Sequence, residues 1–184
     1  MKPMILHYRW LALILIFFLN MGCERFQGTK EGQIVLSSQF DLETATLTGY
    51  HFESSSFLEF SYAETEGEIP DIVLEPYRLL DGSIKPGFSS PSNNYGFALA
   101  GSYENRETSE DFFNNVLKEV DTTLSFTASS DTVRLYQIWI LKTSSGNYAK
   151  LHVLDIELVD NEFGRYNNVT LDYVHQPDGS PNFP

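Results

Sequence analysis

The sequence has little cysteine, little methionine and little positive charge. Its 184 residues include one cysteine, Cys23, so no disulfide can form within the chain and a disulfide-stapled mini-domain is excluded. The three methionines, Met1, Met4 and Met21, all lie near the start of the chain. Lysine and arginine number 12 against 25 aspartates and glutamates, a net charge of −13. Because such a surface repels phosphate backbones, no nucleic-acid partner is expected.

Enzyme signatures are missing as well. The chain contains no Gly-x-Ser-x-Gly elbow, phosphate-binding loop, His-Glu-x-x-His pair or catalytic-cysteine motif. Its carboxylates are scattered, so they do not define an acid/base couple. We therefore expect that the protein is not an enzyme.

The remaining composition is that of a folded globule. Hydrophobic residues make up 42% of the chain and aromatic residues 14%, which is enough apolar surface for a buried core. The aromatic, threonine, valine and isoleucine content favours strands, and 184 residues suit one domain. The sequence thus predicts a mainly β domain, an antiparallel sheet or sandwich-like structure with one short helix.

A short apolar leader opens the chain. Lys2 and Arg9 precede an apolar run over residues 10–19, which is shorter than the roughly 20 residues of a membrane-spanning helix. The pattern is typical of a signal peptide. Gly22-Cys23 then resembles the lipobox of bacterial lipoproteins, in which the chain is cut before a cysteine that becomes acylated. An ordinary secretory signal, or a short uncleaved anchor with a chance cysteine, is the alternative.

This pattern divides the chain into three parts. Residues 1–22 are expected to be a lipoprotein signal peptide. Residues 23–33 are mostly polar and are expected to form a flexible tether from a lipidated Cys23. Residues 34–184 are expected to form the β domain. The protein would then be exported and held by lipid at the outer membrane or cell surface.

Alternation and turn residues predict strands in the first half of the domain. In residues 57–62, Leu58, Phe60 and Tyr62 alternate with more polar positions and are expected to face the core, whereas Glu59 is expected to face away from it. Residues 71–74 form a compact strand candidate. Asp81-Gly82 between apolar segments predicts a hairpin. Residues 86–94, rich in proline, serine, glycine and asparagine, predict an exposed loop.

One helix is predicted, with Thr108 or Ser109 as its N-cap. The C-terminal third predicts three more strands, over residues 133–142, 148–158 and 169–175. A turn over residues 143–147 and a polar loop over residues 160–168 are expected to join them. The apolar positions of the helix recur at spacings of three and four: Phe112, Phe113, Val116, Leu117 and Val120.

Three segments in this third carry a family resemblance: residues 138–143 (IWILKT), 146–151 (GNYAKL) and 170–180 (TLDYVHQPDGS). They are similar to the HmuY-like lipoproteins of Bacteroidetes, in which a Lys-Thr-like pair turns through glycine into Tyr-x-Lys and a later strand ends in a Gln-Pro-Asp-Gly-Ser-like tail. The resemblance implies a mostly β fold, a lipid anchor such as palmitate at the outer membrane, and haem capture for an outer-membrane receptor.

Haem capture of that kind implies axial histidine or methionine ligands on the iron. No methionine follows Cys23, so the candidate ligands are His51, His152 and His175. His152 is expected to point to solvent or a shallow groove, and His175 to be partly buried and hydrogen-bonded. Tyr148 is a candidate for packing against a porphyrin face.

Each candidate also has an ordinary structural interpretation, as a surface or hydrogen-bonded core side chain. No other metal site is predicted. The alternative function is a surface binding or assembly module that recognises protein or glycan without haem, for which the loop over residues 86–94 would be the recognition element.

Overall fold

The computed structural model describes residues 28–63, 67–121, 123–162 and 164–184. The predicted signal peptide, Cys23 and residues 24–27 of the predicted tether lie outside the described residues. The tether ends earlier than predicted, because Lys30 already begins the first strand. None of the helices in the described ranges is long and apolar enough to cross a membrane.

The described residues form two antiparallel five-stranded sheets and one short helix, which confirms the predicted fold class. The first sheet has the order β1 (Lys30–Ser37), β10 (Gly164–Gln176), β9 (Tyr148–Asn161), β8 (Gln137–Lys142), β6 (Phe97–Ser102). The second sheet has the order β3 (Ser56–Phe60), β2 (Leu47–His51), β4 (Ile72–Arg78), β5 (Ile84–Ser89), β7 (Ser129–Thr132). Strands are numbered in chain order.

The two sheets pack face to face around the main core. Apolar side chains alternate along each strand, and the inward half from both sheets interdigitates. Tyr50 and Tyr173 join the sheets through their hydroxyls, 3.0 Å apart. The core is completed by side chains from seven strands and the connecting segments, including Ile34, Leu36, Phe52, Ile72, Leu74, Phe88, Phe97, Trp139, Leu151, Val153, Val169 and Leu171.

A second, smaller core covers part of the outer face of the first sheet. Helix α1 (Arg106–Asp111) contacts β9 and continues into a π-helical segment (Phe112–Val116), whose Phe113 shares a buried cluster with Ile138 and Ile140 of β8. The predicted apolar stripe is confirmed in part, because Val116 is exposed. The N-cap is Asn105, whose side chain accepts a hydrogen bond from Thr108 N–H. The prediction that Thr108 or Ser109 caps the helix was wrong. The packed side chains are Phe113, Leu117, Val120, Ile138, Ile140, Val174 and Phe183.

Three predicted element boundaries were wrong. The strand expected over residues 133–142 begins only at Gln137, because Tyr136 adopts a left-handed φ of 61° where the chain crosses from β7 in the second sheet to β8 in the first. The loop expected over residues 86–94 begins only after Ser89, since β5 pairs with β4 and buries Phe88 completely. The residues expected as a loop over 160–168 lie instead in the paired strands β9 and β10, whose register runs from Gly164 opposite Asn161 to Asn168 opposite Glu157.

Candidate functional site

His152 lies on the outer face of the first sheet and is completely buried under α1. The prediction that it points to solvent was wrong, because the helix covers that face. Its Nε2 lies 2.8 Å from Ser109 Oγ, and its ring packs on Phe113. Burial lowers the pKa of His152, and the charge of Asp172 partly opposes this.

Ser109, His152 and Asp172 are the residue types of a hydrolase triad, but their arrangement is structural. The Ser109 side chain is buried, so no substrate reaches its hydroxyl. Within the part of the chain that the structure describes, His152 Nδ1 makes no hydrogen bond, whereas a triad requires it to donate to the carboxylate. The Asp172 carboxylate instead accepts from Gln33 Nε2 at 2.9 Å.

Lys150 lies beside His152 on the same face and is also buried. Its ammonium donates to the carbonyl of Phe113 at 2.5 Å and to that of Leu117 at 3.2 Å, where the helical segment ends. Burial, together with the charge of Lys118, lowers the pKa of Lys150 to about 8. The side chain therefore satisfies orphan helix-end carbonyls, which is a structural role.

His175 lies on the opposite, inner face of the first sheet, against Phe52. It is completely buried, and neither ring nitrogen has a hydrogen-bond partner among the described residues. Its Nε2 is 3.7 Å from Glu53 Oε1. Burial lowers the pKa of His175 to about 4, with Glu53 opposing the shift, so the imidazole is neutral near pH 7. The prediction of a hydrogen-bonded His175 was wrong.

His175 belongs to a polar network that closes one end of the sandwich. Asp71, which precedes β4, is completely buried and accepts from Phe52 N–H at 2.9 Å and from Ser144 N–H at 3.2 Å. Burial raises the pKa of Asp71, and these hydrogen bonds oppose the shift. Lys30 donates to the carbonyl of Glu53 at 2.5 Å. We call the region formed by Lys30, Phe52, Glu53, Asp71, Ser144 and His175 the closed end.

His51 and Tyr148 lie at the same end but do not form a pocket. His51 Nδ1 lies 2.8 Å from Ser54 Oγ, and its Nε2 lies 4.0 Å from the Asp71 carboxylate. Tyr148 is half-buried on the outer face, where the ammonium of Lys142 lies 5.9 Å from its ring centroid. These contacts account for both side chains without a ligand.

The opposite end of the sandwich is open. A groove of about 650 Å³ lies there between the ends of β1 and β3, the loop over residues 38–46 and the tip of the β9–β10 hairpin. We call it the mouth groove. Among the described residues its lining includes no lysine, arginine or histidine. The lining consists of Ser37, Gln39, Phe40, Asp41, Leu42, Glu43, Thr46, Thr48, Glu59 and Glu162.

The mouth groove is open because polar residues occupy inward-facing positions. Thr48 pairs with Glu59, and two residues along the same strands Tyr50 pairs with Phe57. Since side chains alternate, Thr48 and Glu59 lie on the face that carries the core residue Tyr50. Thr48 and Glu59 are nevertheless exposed, while Phe60 is buried and Leu58 is partly buried, as predicted. Phe57 contacts the ring of Tyr50 and is half-exposed at the border of the core.

The loop over residues 38–46 is held by its own hydrogen bonds. The Asp41 carboxylate accepts from the N–H groups of Glu43 at 2.7 Å and Thr44 at 3.1 Å. Both hydrogen bonds lower the pKa of Asp41, and the one from Thr44 has the larger effect. The turn leaves Phe40 45% and Leu42 84% exposed, so two large apolar side chains project beside the carboxylates.

A second groove, of about 380 Å³, lies beside β6 and β7. Among the described residues it contains Arg134 and Trp139 but no histidine, and half of its other lining residues are serine or threonine. Neither groove contains any of the four side chains proposed from the sequence. Sequence analysis missed the mouth groove; the signal available was the clustering of exposed apolar and acidic residues at positions 40–43.

The described residues do not fit haem held by two histidines. His152 and His175 lie on opposite faces of one sheet, and both are completely buried. His51 lies on the second sheet and is engaged with Ser54. No group of three or more histidine, cysteine or acidic side chains in the described ranges has the arrangement of a metal site.

Comparisons with known proteins find a distant structural likeness. No family model and no curated protein matches the chain. A solved structure described as an apo HmuY analogue of Tannerella forsythia is similar to 84% of this chain and 100% of its own, with 10% sequence identity and a TM-score of 0.47. A likeness this distant leaves the predicted family open and carries no conclusion about the ligand of this chain.

Proposed function

We propose that this chain is an exported, lipid-anchored binding protein without enzymatic activity, and that its ligand occupies the mouth groove. The observation that carries the proposal is the groove itself, where two inward-facing polar residues, Thr48 and Glu59, stop the core short of the end of the sandwich. Its volume of about 650 Å³ lies within the range of ligand sites. Interrupting the core costs stability, as binding sites commonly do.

Three of the four carboxylates that line the mouth groove are free to contact a ligand. Among the described residues, the carboxylates of Glu43, Glu59 and Glu162 make no hydrogen bond and no ion pair. The buried histidines at the closed end and on the outer face lie beneath other side chains. The groove is therefore the better candidate for the alternative predicted from the sequence, recognition without haem.

A photo-crosslinking residue at Gln39, inside the mouth groove, tests the proposal in the native cell. We expect covalent adducts from Gln39, because its exposed side chain lines the groove. The matched control is Ser145, which is exposed in the turn at the closed end. Adducts at equal yield from both positions, or from neither, would contradict the assignment of the groove.

The anchor is proposed from the sequence. Acyl groups on Cys23 would hold the domain at the outer membrane or cell surface, and more than one chain is needed for stable attachment. Metabolic labelling with palmitate should label the wild-type chain and not the Cys23→Ser variant. An unlabelled wild-type chain would remove the anchor from the proposal and leave the groove untouched.

Haem capture is tested by adding haemin to the purified chain. We expect no Soret shift, because the buried histidines are not arranged as an axial pair. A Soret shift that weakens in His152→Ala or His175→Ala, with the fold intact by circular dichroism, would instead support haem as the ligand. It would also require the helix or the closed end to open.

A further inference from the structure

We propose that the mouth groove binds a basic, partly apolar peptide segment of a partner protein. This inference rests on the proposed function and names the class of ligand for the same groove. Four carboxylates, from Asp41, Glu43, Glu59 and Glu162, line the groove, and no lysine, arginine or histidine of the described ranges lines it. A cationic ligand is therefore the complementary one, and the field of the strongly acidic chain would speed its approach.

The carboxylates have different tasks. Asp41 is occupied by the N–H groups of Glu43 and Thr44, so it holds the loop in shape. Glu43, Glu59 and Glu162 come from the loop, the edge strand β3 and the hairpin tip, three separate parts of the chain. A ligand that carries several positive charges along its length can meet all three. A single small cation can meet only some of them.

Apolar and backbone features favour a peptide over a free polyamine. Phe40 and Leu42 are exposed at the groove. Apolar side chains of a peptide can pack against them, whereas a polyamine has no side chains. Among the described residues, β3 hydrogen-bonds to β2 alone, so its other edge presents free backbone groups to an extended segment. Strand addition at such an edge is a common mode of peptide recognition.

A buried acceptor stands behind the groove wall. Asn167 lies on the inner face of β10, two residues before Val169 of the main core. It is 3% exposed, and its Oδ1 has no hydrogen-bond partner among the described residues. Its backbone pairs with Ser38, whose neighbours Ser37 and Gln39 both line the groove. Asn167 therefore holds the groove wall at Ser38 and is not itself a lining residue.

The test is a titration of the purified chain with a fluorescent, end-blocked peptide that alternates lysine and leucine. We expect binding that a matched glutamate–leucine peptide does not show. Replacing Glu43, Glu59 and Glu162 together by glutamine should weaken binding at least tenfold, on the order of the coupling that charged contacts supply. The control variant replaces Glu31, Glu104 and Glu119 by glutamine, which changes net charge equally on exposed positions outside the groove.

Each outcome decides the proposal. Equal weakening in both triple variants would show that binding follows net charge and not the groove, and would overturn it. Spermidine or a neutral oligosaccharide that displaces the peptide at equal concentration would overturn the peptide in favour of a polyamine or a glycan. Phe40→Ser with Leu42→Ser should weaken the peptide severalfold and spermidine hardly at all. If no peptide binds while Gln39 still forms adducts in cells, the ligand class is wrong and the proposed function stands.

Discussion

The two ends of the sandwich are built from the same strands but treat polar side chains in opposite ways. At the closed end, the carboxylate of Asp71 is buried and binds Phe52 N–H and Ser144 N–H, tying a turn of the second sheet to a turn of the first. At the open end, Glu59 also lies on an inward face, yet its carboxylate binds no other described residue.

The comparison shows that a carboxylate with a structural role, such as Asp71, is buried and hydrogen-bonded. A carboxylate proposed to bind a ligand, such as Glu59, is exposed and unpaired among the described residues. A buried carboxylate is tolerated only when donors replace its water, and the closed end supplies them. Carboxylates left unpaired beside exposed apolar side chains do nothing for the fold. Removing side chains at the closed end should therefore cost stability, while changes at the mouth groove should not.

The largest effect is expected from Asp71→Ala. The variant leaves buried donors at Phe52 and Ser144 without an acceptor, which should lower the free energy of unfolding by roughly 2–4 kcal/mol. Urea denaturation measures it. The control is Asp155→Ala, whose exposed side chain makes no hydrogen bond to a described residue, with an expected change within about 0.5 kcal/mol. Equal losses of stability in the two variants would contradict the stabilising role of the hydrogen bonds to Asp71.

Acid should destabilise the closed end through His175. Its pKa is about 4 in the folded chain and near 6.5 when exposed, so the unfolded state takes up the proton first as pH falls. The free energy of unfolding should therefore drop between pH 6.5 and pH 4, by about 2–3 kcal/mol from this residue. The raised pKa of Asp71 acts in the opposite direction.

His175→Phe isolates this contribution, because a ring of similar size has no proton to take up. Urea midpoints at pH 7 and pH 4.5 should differ less in the variant than in the wild type. His51→Gln should keep most of the drop, since it leaves His175 buried. An undiminished drop in His175→Phe would place the acid sensitivity elsewhere, with the buried His152 as the next candidate.

A smaller loss is expected from Lys30→Met. The ammonium of Lys30 donates to the carbonyls of Glu53 and Phe52 and so ties β1 to the turn of the second sheet. Losing this bond should cost about 1 kcal/mol, while the methionine keeps the apolar stem. Lys85→Met, on an exposed position of β5, is the control and should be near neutral in the same urea experiment.

The smallest effect, and of opposite sign, is expected at the open end. Thr48→Val with Glu59→Val extends the inner apolar face toward the mouth groove. The pair should leave the free energy of unfolding unchanged or raise it by roughly 0.5–1 kcal/mol, as substitutions that relax a binding site often do. The same variant should lose the lysine–leucine peptide. A loss of more than 1 kcal/mol would make Thr48 and Glu59 structural.

Sequence patterns predicted the elements better than their faces. The turn over residues 143–147 and the strand that follows it were predicted because glycine and alternation are local signals. Alternation also placed His152 and Leu151 correctly on opposite faces of their strand. It cannot predict which of the two faces is covered by another element. Helix α1 covers the side that was expected to be exposed, so β9 is buried on both faces there.

For Glu59, exposure was predicted from the sequence, whereas its position on the same face as Tyr50 was not. Its strand carries apolar residues on both faces, Phe57 on one and Leu58 with Phe60 on the other, so the local pattern was ambiguous. The register with β2 decides the question, and that pairing is a tertiary fact. The mouth groove therefore could not be assembled from local patterns, because its walls come from four separate segments.

Amide chemical-shift mapping during titration with the lysine–leucine peptide tests the contrast between the two ends most directly. The account predicts that the shifts concentrate at Gln39, Glu43, Thr48 and Glu59, while Phe52 and Ser144 stay in place. Shifts centred on Phe52 and Ser144, or on helix α1, would contradict it.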